Sequence, residues 1–135
     1  MEAISTEKLP IRSSEDVVLV RTAVRKKAVE HKFSIVDQTK LVTAASEIAR
    51  NTLDYGLGGD VNIDVVHNGI KHGLRLVFKD QGPGIPDLNR ALQDGYSSGN
   101  GMGLGLGGAK RLVDTFEITS APGEGTKVAL TKWTR

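Results

Sequence analysis

The sequence predicts an α+β fold in two layers, a mixed but mainly antiparallel sheet with helices packed on one of its faces. Short stretches that alternate apolar and polar residues, as half-buried strands do, flank two long segments whose apolar residues recur at helical spacing. The predicted order is strand, helix, helix, strand, strand, short helix, helix, strand, strand, which suits this arrangement. With 135 residues, 39% of them hydrophobic and 25% charged, residues 1–135 are expected to form one domain.

Composition excludes several classes of function. The formal net charge is +2, and the longest basic run, Arg25-Lys26-Lys27, is too short to predict a nucleic-acid partner. The chain has no cysteine, which excludes disulfides and thiolate chemistry and favours a cytoplasmic location. No apolar run approaches the length of a membrane span, and no signal peptide opens the chain, so no membrane partner is expected.

The N-terminal part is predicted to form an edge strand and a helix. Residues 1–8 are interpreted as a partly ordered lead-in and residues 9–12 as an edge strand, where Pro10 is tolerated. Ser13 or Ser14 is expected to cap a helix with an acidic first turn. Its apolar residues recur at helical spacing and predict one buried face. They are Val17, Val20, Val24 and Ala28, and the helix ends at residues 31–33.

A second helix and a β-hairpin are predicted to follow. Asp37 is expected to cap this helix, which runs to about Tyr55 and is stopped by Gly56. The apolar stripe of the helix consists of Leu41, Ala44, Ala45, Ile48 and Ala49. After a turn at residues 58–60, strands are predicted at residues 61–67 and 74–79, because Asn68-Gly69 is a strong turn signal between them.

The C-terminal part contains two glycine-bearing segments. Asp80 follows the second hairpin strand and opens the segment Asp80-Gln-Gly-Pro-Gly-Ile-Pro86, where glycine permits close approach of a ligand and proline stiffens the loop. A short helix is predicted over residues 87–93. Six glycines then fall among residues 99–108, a run that merges into a helix through Ala109, Leu112 and Val113. Two final strands are predicted at residues 116–120 and 126–133.

Two of these stretches carry side chains or backbone suited to nucleotide chemistry. Glu47 and Asn51 lie four residues apart on a predicted helix and therefore share a face. Asn offers a neutral oxygen to Mg²⁺, and Glu can take a proton from a hydroxyl or water. A glycine-rich run before a helix exposes N–H groups to phosphate and can act as a lid.

Each stretch also has an ordinary structural explanation. Asp80 can cap a simple turn, Glu47 and Asn51 can be a solvated polar pair, and the glycine run can be a surface loop, although its Met and Leu residues would be unusual there. Two formal motif matches are rejected. Residues 103–108 fit the dinucleotide fingerprint without the strand that must precede it, and Gly108-Ala-Lys-Arg lacks the Walker A ending.

Four motifs resemble the N, G1, G2 and final Gly-Thr boxes of the GHKL ATPase/kinase superfamily, which implies its Bergerat ATP-binding fold. They are Glu47-Ile-Ala-Arg-Asn51, Asp80-Gln-Gly-Pro-Gly84, Gly101-Met-Gly-Leu-Gly105 and Gly123-Glu-Gly-Thr126. Their order and spacing fit across nearly the whole chain. Within the superfamily the chain is similar to the small anti-sigma-type serine/threonine kinases, and among these to the stressosome switch kinases. Further matching segments are Asp94-Gly-Tyr-Ser-Ser98 and Lys110-Arg-Leu112.

The resemblance implies ATP and Mg²⁺ as cofactors and assigns roles to individual residues. Asp80 is implied to accept from the adenine amino group, Asn51 to ligate Mg²⁺ and Glu47 to activate the attacking hydroxyl. The other implied cofactor-binding residues are Gly82 and Gly84 near the base, Thr126 in the same pocket, and Gly101, Gly103 and Gly105 around the phosphates. Related kinases carry an arginine near the start of the lid, but residues 97–101 include no basic residue. Arg50 and Lys110 remain open as partners of the γ-phosphate.

The resemblance implies a protein serine/threonine kinase that phosphorylates STAS-domain partners and switches partners in a bacterial stress or sigma-factor pathway. A PP2C-type phosphatase is the implied second partner. The alternative is an anti-sigma factor that sequesters a sigma factor, but such members usually continue the N-box with Ala-x-x-His, whereas this chain has Thr52-Leu-Asp-Tyr55. Intact Glu47, Asn51 and Asp80 argue against a degenerate scaffold, and the absence of a phosphoacceptor histidine helix argues against an autophosphorylating histidine kinase.

Overall fold

The computed structural model describes residues 2–85 and 105–134, and it confirms the two-layer α+β prediction. The elements are β1 Glu2–Ile11, α1 Ser14–Glu30, α2 Ile35–Asp54, β2 Gly59–His67, β3 His72–Asp80, α3 Gly105–Arg111, β4 Thr115–Ser120 and β5 Thr126–Trp133. The short helix predicted over residues 87–93 and the glycine run up to residue 104 lie outside the described residues. None of the described helices is long and apolar enough to cross a membrane.

The five strands form one sheet in the order β1-β2-β3-β5-β4, and every pairing in the described part of the chain is antiparallel. Because side chains alternate between the two faces of a strand, one face of β3 carries Leu74, Leu76 and Phe78 into the core. Asp80 is two residues beyond Phe78 and therefore emerges on the same face, at the end of the strand.

The helices cover this face of the sheet. The stripe predicted for α1 is buried: Val17, Val20, Val24 and Ala28 are at most 2% exposed. The apolar stripe of α2 is buried with it. One hydrophobic core thus lies between the helices and the sheet. The residues of α2 that flank the buried stripe of this helix lie at the edge of the core.

Strand β1 is longer than predicted. Residues 2–8 were expected to be a lead-in, but the strand begins at Glu2 and pairs with β2 along its length, with a register shift between Ala3 and Ser5. In this strand Leu9 packs against the core and Ile11 is fully buried, whereas residues 3–7 are exposed. The N-terminal half of β1 is held through backbone pairing, which leaves no apolar alternation for a sequence pattern to detect.

The caps of the two long helices differ in how well they were predicted. Ser13, one of the two serines predicted as the cap, does cap α1 and accepts a hydrogen bond from the Asp16 N–H. The cap predicted at Asp37 is wrong, because Ser34 caps α2 and its Oγ accepts from the Asp37 N–H at 3.1 Å. The Asp37 carboxylate lies instead 3.6 Å from the buried Nζ of Lys132 on β5.

Candidate nucleotide site

The Asp80 carboxylate is held in a fixed orientation at the end of β3. Its Oδ1 accepts hydrogen bonds from the backbone N–H of Gly82 at 2.9 Å and of Thr126 at 3.1 Å, and the residue is 9% exposed. Within residues 2–85 and 105–134, both hydrogen bonds to this carboxylate use Oδ1. Oδ2 is therefore the oxygen left to accept from a ligand, as an amino group of a base requires.

Three glycines surround Asp80, and each is needed for space. A Cβ on Gly56 would collide with the Asp80 carboxylate, and a Cβ on Gly125 would collide with the Asp80 carbonyl oxygen. A Cβ on Gly82 would lie 2.7 Å from the Cα of Gly56, so these two backbones are in direct contact. A side chain at any of these positions would displace the carboxylate or the backbone that holds it.

Gly56 follows α2 and does not end it in the way that was predicted. A glycine that stops a helix commonly adopts a positive φ, but the positive φ angles here belong to Leu57 and Gly58. The glycine at position 56 is required by its contact with Asp80. The residue that the sequence suggested as a helix terminator is thus a part of the site.

The loop after β3 is fastened to the β4–β5 hairpin. Ser120 is at the centre of this connection: its Oγ accepts from the Ile85 N–H at 2.7 Å and donates to the Gly125 carbonyl at 3.0 Å. The Gly123 N–H also donates to the Pro83 carbonyl at 2.7 Å. Gly84, with φ +80°, packs where a Cβ would strike the Ala121 carbonyl. The β4–β5 hairpin therefore fixes the positions of Asp80 and of the loop that follows it.

Thr126 joins this network through both its backbone and its side chain. The Thr126 N–H donates to Asp80, and the Thr126 Oγ1 lies 2.8 Å from Ser120 Oγ. Since the Ser120 hydroxyl proton is directed to the Gly125 carbonyl, Thr126 Oγ1 is the donor of this pair. The predicted site residues Asp80, Gly84 and Thr126 are thus brought together by contacts with Ser120 and the hairpin, and Gly82 joins them through its hydrogen bond to Asp80.

Glu47 and Asn51 lie one turn apart on α2, and both are half-buried beside its apolar stripe. Glu47 Oε2 accepts from the Gly105 N–H at 3.4 Å, at the first residue of α3. Gly105 has φ +69° and is buried. Of the three glycines assigned to the phosphates, Gly105 is thus placed next to Glu47, while Gly101 and Gly103 lie outside the described residues.

The two basic residues left open as γ-phosphate partners have different surroundings. Arg50 is exposed on α2, and its Nη1 lies 3.5 Å from Ser14 Oγ at the start of α1. Lys110 is exposed on α3, the helix whose first residue contacts Glu47. Both residues are therefore on helices that contribute to the site, since Arg50 is on the helix that carries Glu47 and Lys110 is on the helix whose first residue contacts Glu47.

The described residues fit a divalent cation that is bound mainly through other ligands. No group of three or more His, Asp or Glu side chains in this part of the chain is arranged to hold a metal ion. Mg²⁺ commonly takes one or two protein ligands and obtains the others from phosphates and water. The half-buried Asn51, with its neutral side-chain oxygen, suits that arrangement and does not suit a metal site built from protein ligands alone.

Comparison with known proteins identifies the family to which this geometry belongs. The family of histidine kinase-, DNA gyrase B- and HSP90-like ATPases matches residues 36–134, a range that contains Glu47, Asn51, Asp80 and Thr126. The chain belongs to this ATPase family. ATP use follows from membership, and the family's fold is the two-layer arrangement described above.

Within the ATPase family, the chain is similar to bacterial regulators. It is 43% identical to the serine/threonine-protein kinase RsbT of Bacillus subtilis (strain 168), covering 93% of this chain and 94% of the relative. It is 26% identical to the anti-sigma F factor of Thermoanaerobacter sp. (strain X514), covering 91% and 89%. The structure of the RsbU and RsbW domains of a Mycobacterium tuberculosis protein has the same fold, with a TM-score of 0.68, 21% identity and coverage of 97% and 33%.

Sequence reasoning missed three residues of the site. Gly56 was explained as a helix terminator, Ser120 was assigned only to a strand, and Gly125 was included in the final Gly-Thr motif without a role of its own. Their importance comes from contacts with Asp80 and Ile85, which are 24 to 45 residues away along the chain. The only local signal was glycine at two of these positions.

Proposed function

We propose that this chain is an ATP- and Mg²⁺-dependent protein kinase that phosphorylates serine or threonine on STAS-domain partner proteins. In this proposal it switches between these partners and a PP2C-type phosphatase in a bacterial stress or sigma-factor pathway, in the cytoplasm. The observation that carries the proposal is the 43% identity to a serine/threonine-protein kinase along nearly the whole length of both chains.

The geometry of the site supports a division of roles among its residues. Asp80 has an oriented carboxylate with one oxygen directed away from its backbone donors, which suits recognition of the adenine amino group. Gly82, Gly84 and Thr126 hold the loop beside that carboxylate. Gly101, Gly103 and Gly105 are proposed to surround the phosphates, and Asn51 to hold Mg²⁺, which neutralises phosphate charge when it is bound.

Glu47 is proposed as the general base. Transfer forms a bond between the protein hydroxyl oxygen and the γ-phosphorus, breaks the bond to the β–γ bridging oxygen and releases ADP. The hydroxyl proton passes to the Glu47 carboxylate, which is half-buried next to the first residue of α3. Since phosphoryl transfer depends mainly on positioning and charge neutralisation, Glu47 also contributes by holding Gly105.

The anti-sigma reading remains the second candidate, favoured by one observation. Anti-sigma F factors are 25–30% identical to this chain over 70–91% of its length. A chain with that function would bind a sigma factor tightly, whereas a switch kinase would not. Pull-down of sigma factors therefore separates the two candidates directly.

The experiment that tests the kinase is transfer of labelled phosphate from ATP and Mg²⁺ to STAS-domain proteins encoded beside this chain. We expect Glu47→Ala to retain ATP binding and to lower the rate of transfer about 100-fold or more, because general-base catalysis contributes on that order. Glu117→Ala is the matched control, since Glu117 is exposed on β4.

Two outcomes would contradict parts of this assignment. Transfer at the wild-type rate by Glu47→Ala would remove Glu47 as the base. Sigma-factor binding without transfer to any STAS protein would replace the kinase by the anti-sigma candidate. Transfer to Ser or Thr that is lost in Glu47→Ala and kept in Glu117→Ala would support both the reaction and the residue.

A further inference from the structure

The chain has three histidines, and all three lie at the end of the sheet opposite to Asp80. His31 is the C-terminal cap of α1, His67 ends β2 and His72 begins β3. His67 and His72 are direct partners across the hairpin. Since β3 extends from His72 to Asp80, the histidines are separated from the candidate nucleotide site by the length of a strand, about 27 Å.

His31 and His72 approach each other through the same ring nitrogen. The two Nδ1 atoms are 3.3 Å apart, and the rings meet edge to face with centroids 5.3 Å apart. The residues come from different layers of the fold, one from the end of a helix and the other from the start of a central strand. Their convergence therefore depends on tertiary packing and not on neighbouring positions in the sequence.

We propose that His31 and His72 form a binding site for a divalent transition-metal ion of the Zn²⁺ or Ni²⁺ class, with their Nδ1 atoms as the two protein ligands. In a tetrahedral site each Zn–N bond is about 2.0–2.1 Å long, which places two ligating nitrogens roughly 3.3–3.4 Å apart. The observed separation has this value. Imidazole is a ligand type that suits these ions.

The backbone around both histidines is fixed, so the site is largely formed in advance. The His31 N–H donates to the Lys27 carbonyl at 3.0 Å. The His72 carbonyl accepts from both the N–H and the Oγ1 of Thr134, each at 3.0 Å. Burial and the neighbouring His72 lower the pKa of His31, although Glu30 acts in the opposite direction, and the neutral imidazole is the form that binds metal.

Water completes the coordination in this proposal. No third His, Asp or Glu is positioned to share a metal within residues 2–85 and 105–134. His67 is the nearest candidate by sequence register, but its Nδ1 accepts from the Gly69 N–H in its own turn at 3.3 Å. A metal ion bound by His31 and His72 would join the end of α1 to the β2–β3 hairpin.

The test is a calorimetric titration of tag-free, chelator-treated protein with Zn²⁺, and separately with Ni²⁺, in the absence of nucleotide. We expect one ion to bind per chain, and both His31→Gln and His72→Gln to lower the affinity about tenfold or more. His67→Gln is the matched control, because it removes a histidine from the same end of the sheet. This variant should bind the metal ion with the same affinity as the wild type. Absence of binding by the wild type, or unchanged affinity in His31→Gln and His72→Gln, would overturn the proposal.

Imidazole ¹⁵N NMR of the wild type distinguishes a metal site from an ordinary hydrogen bond between the rings. On addition of Zn²⁺, the Nδ1 resonances of His31 and His72 should shift while those of His67 keep their positions. Resonances of His31 and His72 that do not respond to the ion would mean that a direct N–H···N hydrogen bond accounts for the contact, and the proposal would fail. This measurement needs no variant and is therefore independent of any effect of substitution on folding.

Discussion

At the scale of single residues, the Asp80 carboxylate has one observed task and one proposed task. Oδ1 accepts two backbone N–H groups, from the loop that follows β3 and from the first residue of β5, and so ties these segments together. Oδ2 is left for a ligand. Because the backbone partners use Oδ1 and the proposed ligand would use Oδ2, the two tasks can be tested separately by changing one oxygen and keeping the other.

The substitution Asp80→Asn makes this separation. The amide retains a carbonyl oxygen for the Gly82 and Thr126 N–H groups but places an NH₂ group where Oδ2 faced the proposed adenine amino group. Two donors then oppose each other, and we expect nucleotide affinity to fall by about 2 kcal/mol, roughly 30-fold. Calorimetric titration with ATP measures the loss, and the thermal midpoint without ATP should stay near that of the wild type.

Asp60→Asn is the control for this variant, because Asp60 is a half-buried aspartate on β2 whose carboxylate is paired with Lys8. It should bind ATP as the wild type does. If Asp80→Asn also bound ATP with wild-type affinity, Oδ2 would not be the adenine acceptor.

Gly56 gives a second prediction for a single residue. In Gly56→Ala the new methyl group collides with the Asp80 carboxylate, so we expect the free energy of unfolding to fall by about 1–3 kcal/mol and ATP affinity to fall with it. Gly69→Ala is the control. Gly69 has φ +91° and open space around it, so alanine there costs about 1–2 kcal/mol of stability and should leave ATP affinity unchanged.

Denaturant unfolding and ATP titration of both glycine variants separate the two effects. A Gly56→Ala protein that is destabilised like Gly69→Ala yet binds ATP normally would show that the contact between Gly56 and Asp80 has no role in the site.

At the scale of secondary-structure elements, Lys132 connects three segments. Its side chain on β5 is 3% exposed, lies 3.6 Å from the Asp37 carboxylate in the first turn of α2, and donates to the Leu112 carbonyl just after α3 at 3.1 Å. Asp37 stands near the N-terminus of α2, where the helix dipole favours a negative charge. This buried ion pair holds both α2 and the end of α3 against the sheet.

Removing one partner leaves the other charge buried. We expect Lys132→Met to lower the free energy of unfolding by about 3 kcal/mol, because a buried carboxylate that loses its cationic partner is strongly destabilised. The double variant Asp37→Asn/Lys132→Met should recover part of that loss. Urea unfolding of the wild type, of Lys132→Met and of the double variant measures the three free energies.

Lys127→Met is the matched control, since it is the same substitution at an exposed position of the same strand. The free energy of unfolding of Lys127→Met should lie within about 0.5 kcal/mol of the wild-type value. Equal stability of the Lys127 and Lys132 variants would mean that the buried pair contributes no net stabilisation.

At the scale of the whole molecule, the sequence predicted the two layers well and the contacts between distant segments poorly. The buried stripe of α1 and the bounds of β5 follow directly from residue periodicity, and both agree with the structure. The N-terminal half of β1 is defined by backbone pairing, which has no side-chain pattern. Asp37 was assigned to a cap because helix starts favour acids, while its actual partner, Lys132, is 95 residues away along the chain.

The same distinction applies to the candidate site. Glu47, Asn51 and Asp80 were found because each lies in a short motif with a recognisable spacing. Ser120 was missed because a serine near the end of a strand is ordinary until the fold places it beside Ile85 and Thr126. Motifs therefore predicted the groups that are proposed to face the nucleotide, whereas the groups that orient Asp80 and its loop required the structure.

The position of Asp80 on β3 restricts how this chain can change in length during evolution. The alternation that turns Leu74, Leu76 and Phe78 inward also turns Asp80 toward the helices. Insertion or deletion of a single residue between Phe78 and Asp80 would reverse the direction of the carboxylate and leave the apolar residues in place. Homologous chains can therefore vary in length in the turn between β2 and β3, but the spacing from the last core residue of β3 to this aspartate should remain even.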